Sequence, residues 1–473
     1  MGASQSRNAE SVVVTSMLGN ARMNVKGQKV VVAGAARTGV EAARLLALHG
    51  AVVTLSDAAI PEDRSSVERK LAGLNVAFEL GGHKTESFTT ADLVILSPGV
   101  PPAIEPVRAA EKAGIPVMSE LEFAYRYCQS RLVAITGTNG KTTTTTLVHR
   151  LLKEAEIPAL LAGNNELPFS RALMVKPRPQ IIVLEVSSFQ LERIETFRPE
   201  IAVLLNVTPD HLERYSGMED YRRAKMRVFA HQTDSDTAIL NADDPHMYRD
   251  AEQVQARKLF FSIERELESG VFVHDGDIIV RSDGTQKRLA RVDDIALIGK
   301  HNLANVLATL GACFALDLPE KPCRRTLRAF RGLEHRMEFV VERRGVTFIN
   351  DSKGTNIDAL EKALVSIDVP VILIAGGRGK KSDYSVLRDL VKSRVKRLVL
   401  IGEDAPLMEA AFGDLVPVSR AGSLKEAVQQ ACSAATKGDC VLLSPACASF
   451  DMFRNFEDRG EQFKSAVLQL KDE

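Results

Sequence analysis

The stretch VAITGTNGKTTTTT, Val133 to Thr146, runs from an apolar β-branched segment through a glycine turn into a polar stretch that continues as LVHRLLKEA. The strict phosphate-loop spelling G-x-x-x-x-G-K-[ST] would need glycine at position 135, where Ile135 stands. The pivots here are Gly137 and Gly140, followed by Lys141 and Thr142. A strand, a glycine turn and a helix in succession is the context such a loop requires. Glycines let backbone N–H groups approach oxyanions, and the helix N-terminus adds partial positive charge. Lys141 then neutralises a β/γ-phosphate, and the Thr142 hydroxyl suits a Mg²⁺ position. An ordinary βα turn needs neither residue. The stretch reads as a mononucleotide loop of non-standard spelling.

Working outward, similar strands recur in three groups. The first holds 29–36, 51–57 and 92–99. The second holds 131–137, 181–188, 201–208 and 237–244, and the third 346–352, 369–377, 397–403 and 439–446. Near-continuous apolar strands alternating with helical patterns predict parallel sheets covered on both faces. The fold class expected is α/β with three domains: Rossmann-like, central P-loop ATPase-type, and Rossmann-like again. Functional residues then belong where strands end at their C-terminal loops. The expected bounds are 27–119, 120–332 and 333–473, after a polar leader, 1–26, expected to be disordered. The leader matches a myristoylation spelling at Gly2 and Ser6, but a plain tail accounts for it as well. Residues 255–298 read as antiparallel β with Gly/Asp turns.

Bulk properties agree. A chain of 473 residues suggests roughly three domains. Lys+Arg and Asp+Glu both number 61, so no global charge draws the chain to nucleic acid or to a membrane surface. No apolar run approaches the roughly 20 residues that span a bilayer. Cys128, Cys313, Cys323, Cys432, Cys440 and Cys447 form no C-x-x-C pair, and they read as buried reduced thiols of a cytoplasmic protein.

Other strand ends carry polarity with two readings each. GAARTG (34–39) with Asp57 about 20 residues on fits a nucleotide sugar, a dinucleotide or a tight-packing turn. Glu185 inside an apolar strand must be paired or hold a metal, or is a satisfied core glutamate. Asp210 and His211 cap a loop or serve a site. Lys225 snorkels or reaches a ligand. Together they could set a carboxylate, an imidazole and a cation around one nucleotide. In the last third, NDSKGTN (with Asp351, Lys353, Thr355 and Asn356), AGGRGKKSDY (375–384) and SPACASFDMFRNFEDRG (444–460) end neighbouring strands with basic and hydroxyl groups. They form an anion pocket, or three loops with helix caps.

TGTNGKTTT, EVSSFQLE, NVTPDHLERY, YRRAKMR, GKHNLANVLA, GLEHRMEF, NDSKGTN and SPACASFDMFRNFEDRGEQF occur in order across essentially the whole chain. Together they resemble the Mur ligases of bacterial peptidoglycan synthesis. SSFQLE and the SPACASFD segment point, within that family, to the member that adds D-glutamate.

The resemblance implies the chemistry. ATP phosphorylates the carboxylate of UDP-N-acetylmuramoyl-L-alanine, the amine of D-glutamate attacks the acyl phosphate, and a tetrahedral intermediate collapses to amide and phosphate. It implies a catalytic set of Lys141, His211 and Lys225. ATP would be held by Gly137, Thr138, Asn139, Gly140, Lys141, Thr142 and Thr143, with Asn302, Asn305, Arg336 and Asp351. Mg²⁺ would be held by Thr142, Glu185, His211 and Lys225, the last as a carbamate. The UDP-substrate would meet Arg37, Thr38, Asp57, Ser97, Pro98, Gly99, Asn164 and His211. D-Glutamate would meet Lys353, Thr355, Lys380, Ser449, Phe450 and Phe456. The resemblance further implies small-molecule partners only, a monomer, and closure of the substrate domains on the ATP domain. Three departures stand out: GNNE (163–166) where the family has G-N-I-G, arginine at 37 in place of an aliphatic residue, and Arg378 where an aspartate can occur. Another Mur ligase, a folylpolyglutamate synthetase and a nucleotide-gated binding protein are the competing readings.

Overall fold

The computed structural model describes residues 23–470 apart from 62, 165–166, 210–213, 283, 298 and 380–382. His211 and Lys380 therefore lie outside the described residues, as does nearly all of the leader. Three sheets distribute over two compact units: Met1–Val292 with Leu303–Thr326, and Asp293–Asn302 with Leu327–Glu473.

The first sheet contains β1 (Lys29–Ala33), β2 (Val52–Asp57), β3 (Val76–Leu80), β4 (Leu93–Leu96) and β5 (Val117–Ser119), in the order β3-β2-β1-β4-β5. All its pairings are parallel. Val30 and Val32 pack on one face with the helix Arg37–Leu48, while Val31 and Ala33 pack on the other with Val107 and Ala110 of the helix Glu105–Lys112. The period-2 alternation of a strand sends both sets to apolar cover. The chain order reverses between β1 and β4, the point at which doubly wound sheets take ligands.

The second sheet has nine strands. These are β6 (Arg131–Thr136), β7 (Ala159–Gly163), β8 (Ile181–Glu185), β9 (Ile201–Leu204), β10 (Thr237–Asn241), β11 (Arg257–Ser262), β12 (Gly270–His274), β13 (Asp277–Ser282) and β14 (Thr285–Arg291). Their order is β14-β13-β12-β11-β10-β9-β6-β8-β7. The half around β6 is parallel. Strand β11, read as part of an antiparallel stretch over 255–298, is instead parallel to β10 and β12, because a helix, Met247–Ala251, carries the chain across from β10. Only β12 to β14 form the antiparallel meander with the Gly/Asp turns. First and second sheets belong to one unit and are tied by Glu122. Its carboxylate accepts N–H groups of Glu195, Thr196 and Phe197 at 2.9–3.0 Å, the Thr196 hydroxyl at 2.6 Å and Arg126 at 2.8 Å.

The second unit holds β15 (Glu338–Arg343), β16 (Val346–Asn350), β17 (Val371–Gly376), β18 (Val395–Ile401), β19 (Val418–Arg420) and β20 (Cys440–Leu443), in the order β15-β16-β20-β17-β18-β19. Leu373 and Ala375 face one apolar cluster, Ile372 and Ile374 the other. Five cysteines are buried as expected, whereas Cys432 is only half-buried because it lies near the end of the surface helix Leu424–Ala434. Among the described residues no helix is long and apolar enough to cross a membrane.

Candidate active site

The loop after β6 is built by steric necessity. Gly140 precedes the helix Lys141–Glu154 with φ +85°, and a Cβ there would fall 2.2 Å from Asn305 Oδ1. Only glycine fits both the left-handed backbone and the approach of Asn305. The segment after β9 braces the loop from the side. Thr138 N–H donates to Asn206 O and Asn139 N–H to Asn206 Oδ1, both at 2.9 Å. Thr138 Oγ1 meets Thr208 O at 3.1 Å. Lys141 Nζ donates to Gly137 O and Thr138 O at 2.9 Å, so the ammonium curls over the loop. Thr142 and Thr143 are buried beneath it.

Two more expected groups gather at this sheet edge. Glu185 ends β8, next to β6, and is fully buried; Asn164 Nδ2 donates to its Oε1 at 3.2 Å. Lys225, 2% exposed on the helix Met218–Met226, donates to Gly137 O at 2.8 Å and sits 4.5 Å from the Tyr221 ring centroid. The same helix is pinned by Arg222, whose Nη1 lies 3.3 Å from both Asp244 and Asp250. A buried carboxylate and a threonine hydroxyl beside a phosphate loop are hard oxygen donors, a set that fits Mg²⁺. Asn305 joins them in this unit, while Asn302 falls in the second.

On the first sheet, the Asp57 carboxylate accepts N–H from Ala35 at 2.6 Å and from Ala59 at 2.8 Å, which fixes the 34–39 turn. Gly39 is needed for close approach, since a Cβ there would lie 1.8 Å from Gly34 O. Thr38 opens the helix Arg37–Leu48. Arg37 reaches away from that turn: its Nη2 donates to Asn164 O at 3.3 Å. Ser97 and Pro98 line a narrow cleft with Ser119, Phe189, Arg193 and Arg214. The two arginines stand in QLERIE and HLERY, 21 positions apart, and no sequence pattern marks them, since only the fold brings them to one cleft. Arg214 is held by Glu192 at 2.7 Å and lies 4.2 Å from the Phe189 ring centroid.

In the second unit, Asp351 follows β16, Gly377 follows β17 and Ser444 follows β20, on three adjacent strands. Asp351 accepts Ser444 Oγ at 2.8 Å and Met337 N–H at 3.2 Å. Burial nonetheless pushes its carboxyl up to about 7, with those hydrogen bonds and the Arg336 charge opposing. Lys353 Nζ lies 5.4 Å from the Phe456 ring centroid, and Lys353 N–H donates to His335 O at 2.9 Å. Thr355 N–H closes a turn onto Lys353 O. Ser449 is buried and Phe450 is 66% exposed. Arg378 pairs with Glu403 at 2.8 Å, and its backbone exchanges two hydrogen bonds with Ala448. Glu334, His335 and Glu461 cluster nearby, but Lys464 Nζ, 2.6 Å from Glu461, already neutralises those carboxylates.

The fold and the loop together define an α/β protein of three sheets with a mononucleotide phosphate loop in its central one. Family models agree along the chain: a Mur ligase MurD-like N-terminal domain over 28–119, a Mur ligase middle domain over 135–313, and a Mur ligase glutamate ligase domain over 335–447. The chain belongs to the Mur ligase family. It is 46% identical over 446 residues to the UDP-N-acetylmuramoylalanine–D-glutamate ligase of Pelotomaculum thermopropionicum, covering 94% of this chain and 98% of that one. It is 43% identical to the protein of that name from Geotalea uraniireducens, over 95% of this chain and 99% of the relative. Among solved structures, a pseudomurein peptide ligase type C from Methanothermus fervidus shares the fold at TM-score 0.55 and 19% identity, over 94% of this chain and 100% of its own. The UDP-N-acetylmuramate–alanine ligase of Thermotoga maritima does so at 0.55 and 17%, with the same coverage.

Proposed function

We propose that this protein ligates D-glutamate to UDP-N-acetylmuramoyl-L-alanine at the expense of ATP, releasing ADP and phosphate. One observation carries the reading: the chain matches D-glutamate ligases end to end at 42–46% identity. The acceptor carboxylate takes the γ-phosphoryl group, and ADP leaves. The D-glutamate amine attacks the acyl carbon, and phosphate departs with the amide formed.

The chain's own residues have definite tasks in this reading. The N–H groups from Gly140 to Thr143, at the N-terminus of the helix Lys141–Glu154, hold the β/γ-phosphates, and Lys141 neutralises them. Gly137, Thr138 and Asn139 shape the loop, the last two through their N–H bonds to Asn206. Asn302, Asn305, Arg336 and Asp351 complete the ATP contacts. Thr142, Glu185, His211 and carbamylated Lys225 would hold Mg²⁺, which supplies charge neutralisation between γ-phosphate and acceptor carboxylate. A carbamate keeps one N–H on Nζ where the ammonium has three. Thr38, Asp57, Ser97, Pro98, Gly99 and Asn164 would receive the UDP-substrate, and Lys353, Thr355, Lys380, Ser449, Phe450 and Phe456 the amino acid. Arg37, which reaches Asn164 O, would brace the substrate arm from the uridine side. Within this reading 27–119, 120–332 and 333–473 act as UDP-substrate, ATP and amino-acid domains.

The test is phosphate release with ATP, Mg²⁺ and UDP-N-acetylmuramoyl-L-alanine, adding D-glutamate, L-glutamate or L-alanine in turn. Release with D-glutamate alone is expected. Release with a different amino acid keeps the mechanism and overturns the specificity, and none with any of them removes the ligase reading.

A further inference from the structure

Arg459 is among the largest fully buried side chains of the protein. It sits in the first turn of the helix Phe456–Leu468, capped by Asn455. Its guanidinium spans two loops distant in sequence. Toward the end of β16, Nε donates to Ser352 Oγ at 2.9 Å and Nη2 to Ser352 O at 2.8 Å. Toward the end of β20, Nη1 and Nη2 both reach Cys447 O at 3.2 Å, and Nη1 meets Ala448 O at 3.5 Å. Ser352 Oγ passes the link on to Phe456 O at 2.8 Å. The loop after β17 closes the third side: a Cβ on Gly377 would stand 2.3 Å from Ala448 O and 3.3 Å from Arg459 Nη1.

Among the described residues no carboxylate lies within ion-pair distance of this guanidinium. Burial draws its pKa down to about 10, which still leaves it a cation at neutral pH. Asp351 and Asp451 act on it only from beyond ion-pair distance, and a buried charge without an ion pair is unfavourable in a structural core, where a methionine would fill the same space. What arginine alone provides is a planar fork of five N–H groups that can hold carbonyls on two loops at once, together with a fixed charge behind them. Directly beyond the gripped atoms stand Lys353 and Ser449.

We propose that Arg459 is a positioning residue for the amino-acid substrate: it locks the Ser352–Lys353 and Cys447–Ser449 backbones into one cradle and places a permanent positive charge behind it for a dicarboxylate. The inference rests on the D-glutamate reading above. It places the specificity for an amino acid with two carboxylates partly in a buried residue behind the cradle.

The experiment measures phosphate release by Arg459→Met, Arg459→Lys and Ser352→Ala with each substrate varied in turn, alongside near-ultraviolet circular dichroism and thermal melting. Loss of one charge-assisted hydrogen-bonding group is expected to raise the KM for D-glutamate about tenfold or more in Arg459→Met. Arg459→Lys, which keeps the charge and loses the fork, is expected to fall between it and the parent. The KM values for ATP and the UDP-substrate are expected to stay within about threefold. Should Arg459→Met not fold, the other two variants carry the same comparison. A D-glutamate KM unchanged in folded variants overturns the inference, as do KM values for all three substrates that rise together with falling melting temperature. Parent protein showing no D-glutamate-dependent release sinks the ligase reading itself, and the assignment of this cradle with it, which the variants alone would not do.

Discussion

Gly140 shows how much a single position decides. Its φ of +85° and the 2.2 Å that would separate a Cβ from Asn305 Oδ1 act together, so alanine meets both backbone strain and a clash with a side chain beside the loop. Gly140→Ala is expected to cost about 1–3 kcal/mol of stability. It is also expected to abolish the rise in melting temperature that an ATP analogue gives the parent, a comparison that thermal melting with and without the analogue makes directly. An undiminished rise would show that the loop tolerates a Cβ and does not hold phosphate as described. Lys225 tests the other side of the loop. Replacing it with alanine removes one of the two ammonium donors to Gly137 O, Lys141 Nζ being the other, and with it the amine expected to carry the carbamate. Turnover is expected to fall, and added bicarbonate is expected not to restore it. Parent-like turnover would take Lys225 out of the mechanism.

At the scale of the element, the helix Met218–Met226 reaches the site only because Arg222 anchors it to Asp244 and Asp250, all three largely buried. Removing one partner of a buried ion network strands the others. Arg222→Leu is therefore expected to lose about 3–5 kcal/mol, read as a lower urea midpoint, and to reduce turnover through Lys225. A midpoint within error of the parent would mean that solvent, not Arg222, satisfies the two aspartates. The same scale explains what the sequence discloses. Central strands such as β1, β8 and β20 are covered on both faces and read as apolar runs. The strands that escape the reading include β3, β5, β7, β15 and β19, which lie at sheet edges and are short or half-exposed. Within the candidate site, the glycine loop and Glu185 are legible because polarity or glycine interrupts an apolar run. Arg459, and Glu122 between the first two sheets, are not, because most of their partners are brought near only by the folded chain, Thr196 being 74 positions from Glu122 and Ser352 107 from Arg459.

Across the whole molecule, buried carboxyls respond to pH in opposite senses, as Glu122 and Asp351 show. Burial raises the Glu122 carboxyl, yet hydrogen bonds from Thr196, the Glu195 N–H and Arg126 outweigh it and hold the group below the ordinary 4.5. A lowered folded pKa contributes stability above 4.5 that is lost as pH falls through the lowered value. Asp351, in the second unit, is the reverse case. Its carboxyl titrates near 7 in the folded protein against an ordinary 3.8, because burial disfavours the charge. The unfolded chain ionises first, so stability is fully present below 3.8, declines as pH rises toward 7 and is flat beyond. The span corresponds to an upper bound on the order of 4 kcal/mol. Asparagine keeps the shape and an acceptor for Met337 N–H without the charge. Calorimetry of ligand-free protein is thus expected to show one transition moving down between pH 5 and pH 8 in the parent and holding still in Asp351→Asn. The variant is expected to be the more stable of the two from about pH 5 upward, by a margin that stops growing above about pH 7. Equal displacement in both proteins would locate the titrating group elsewhere. If Asp351→Asn is stabilised at pH 8 while its phosphate release collapses, the buried carboxylate is a cost that this unit bears for nucleotide contact and not for its own folding.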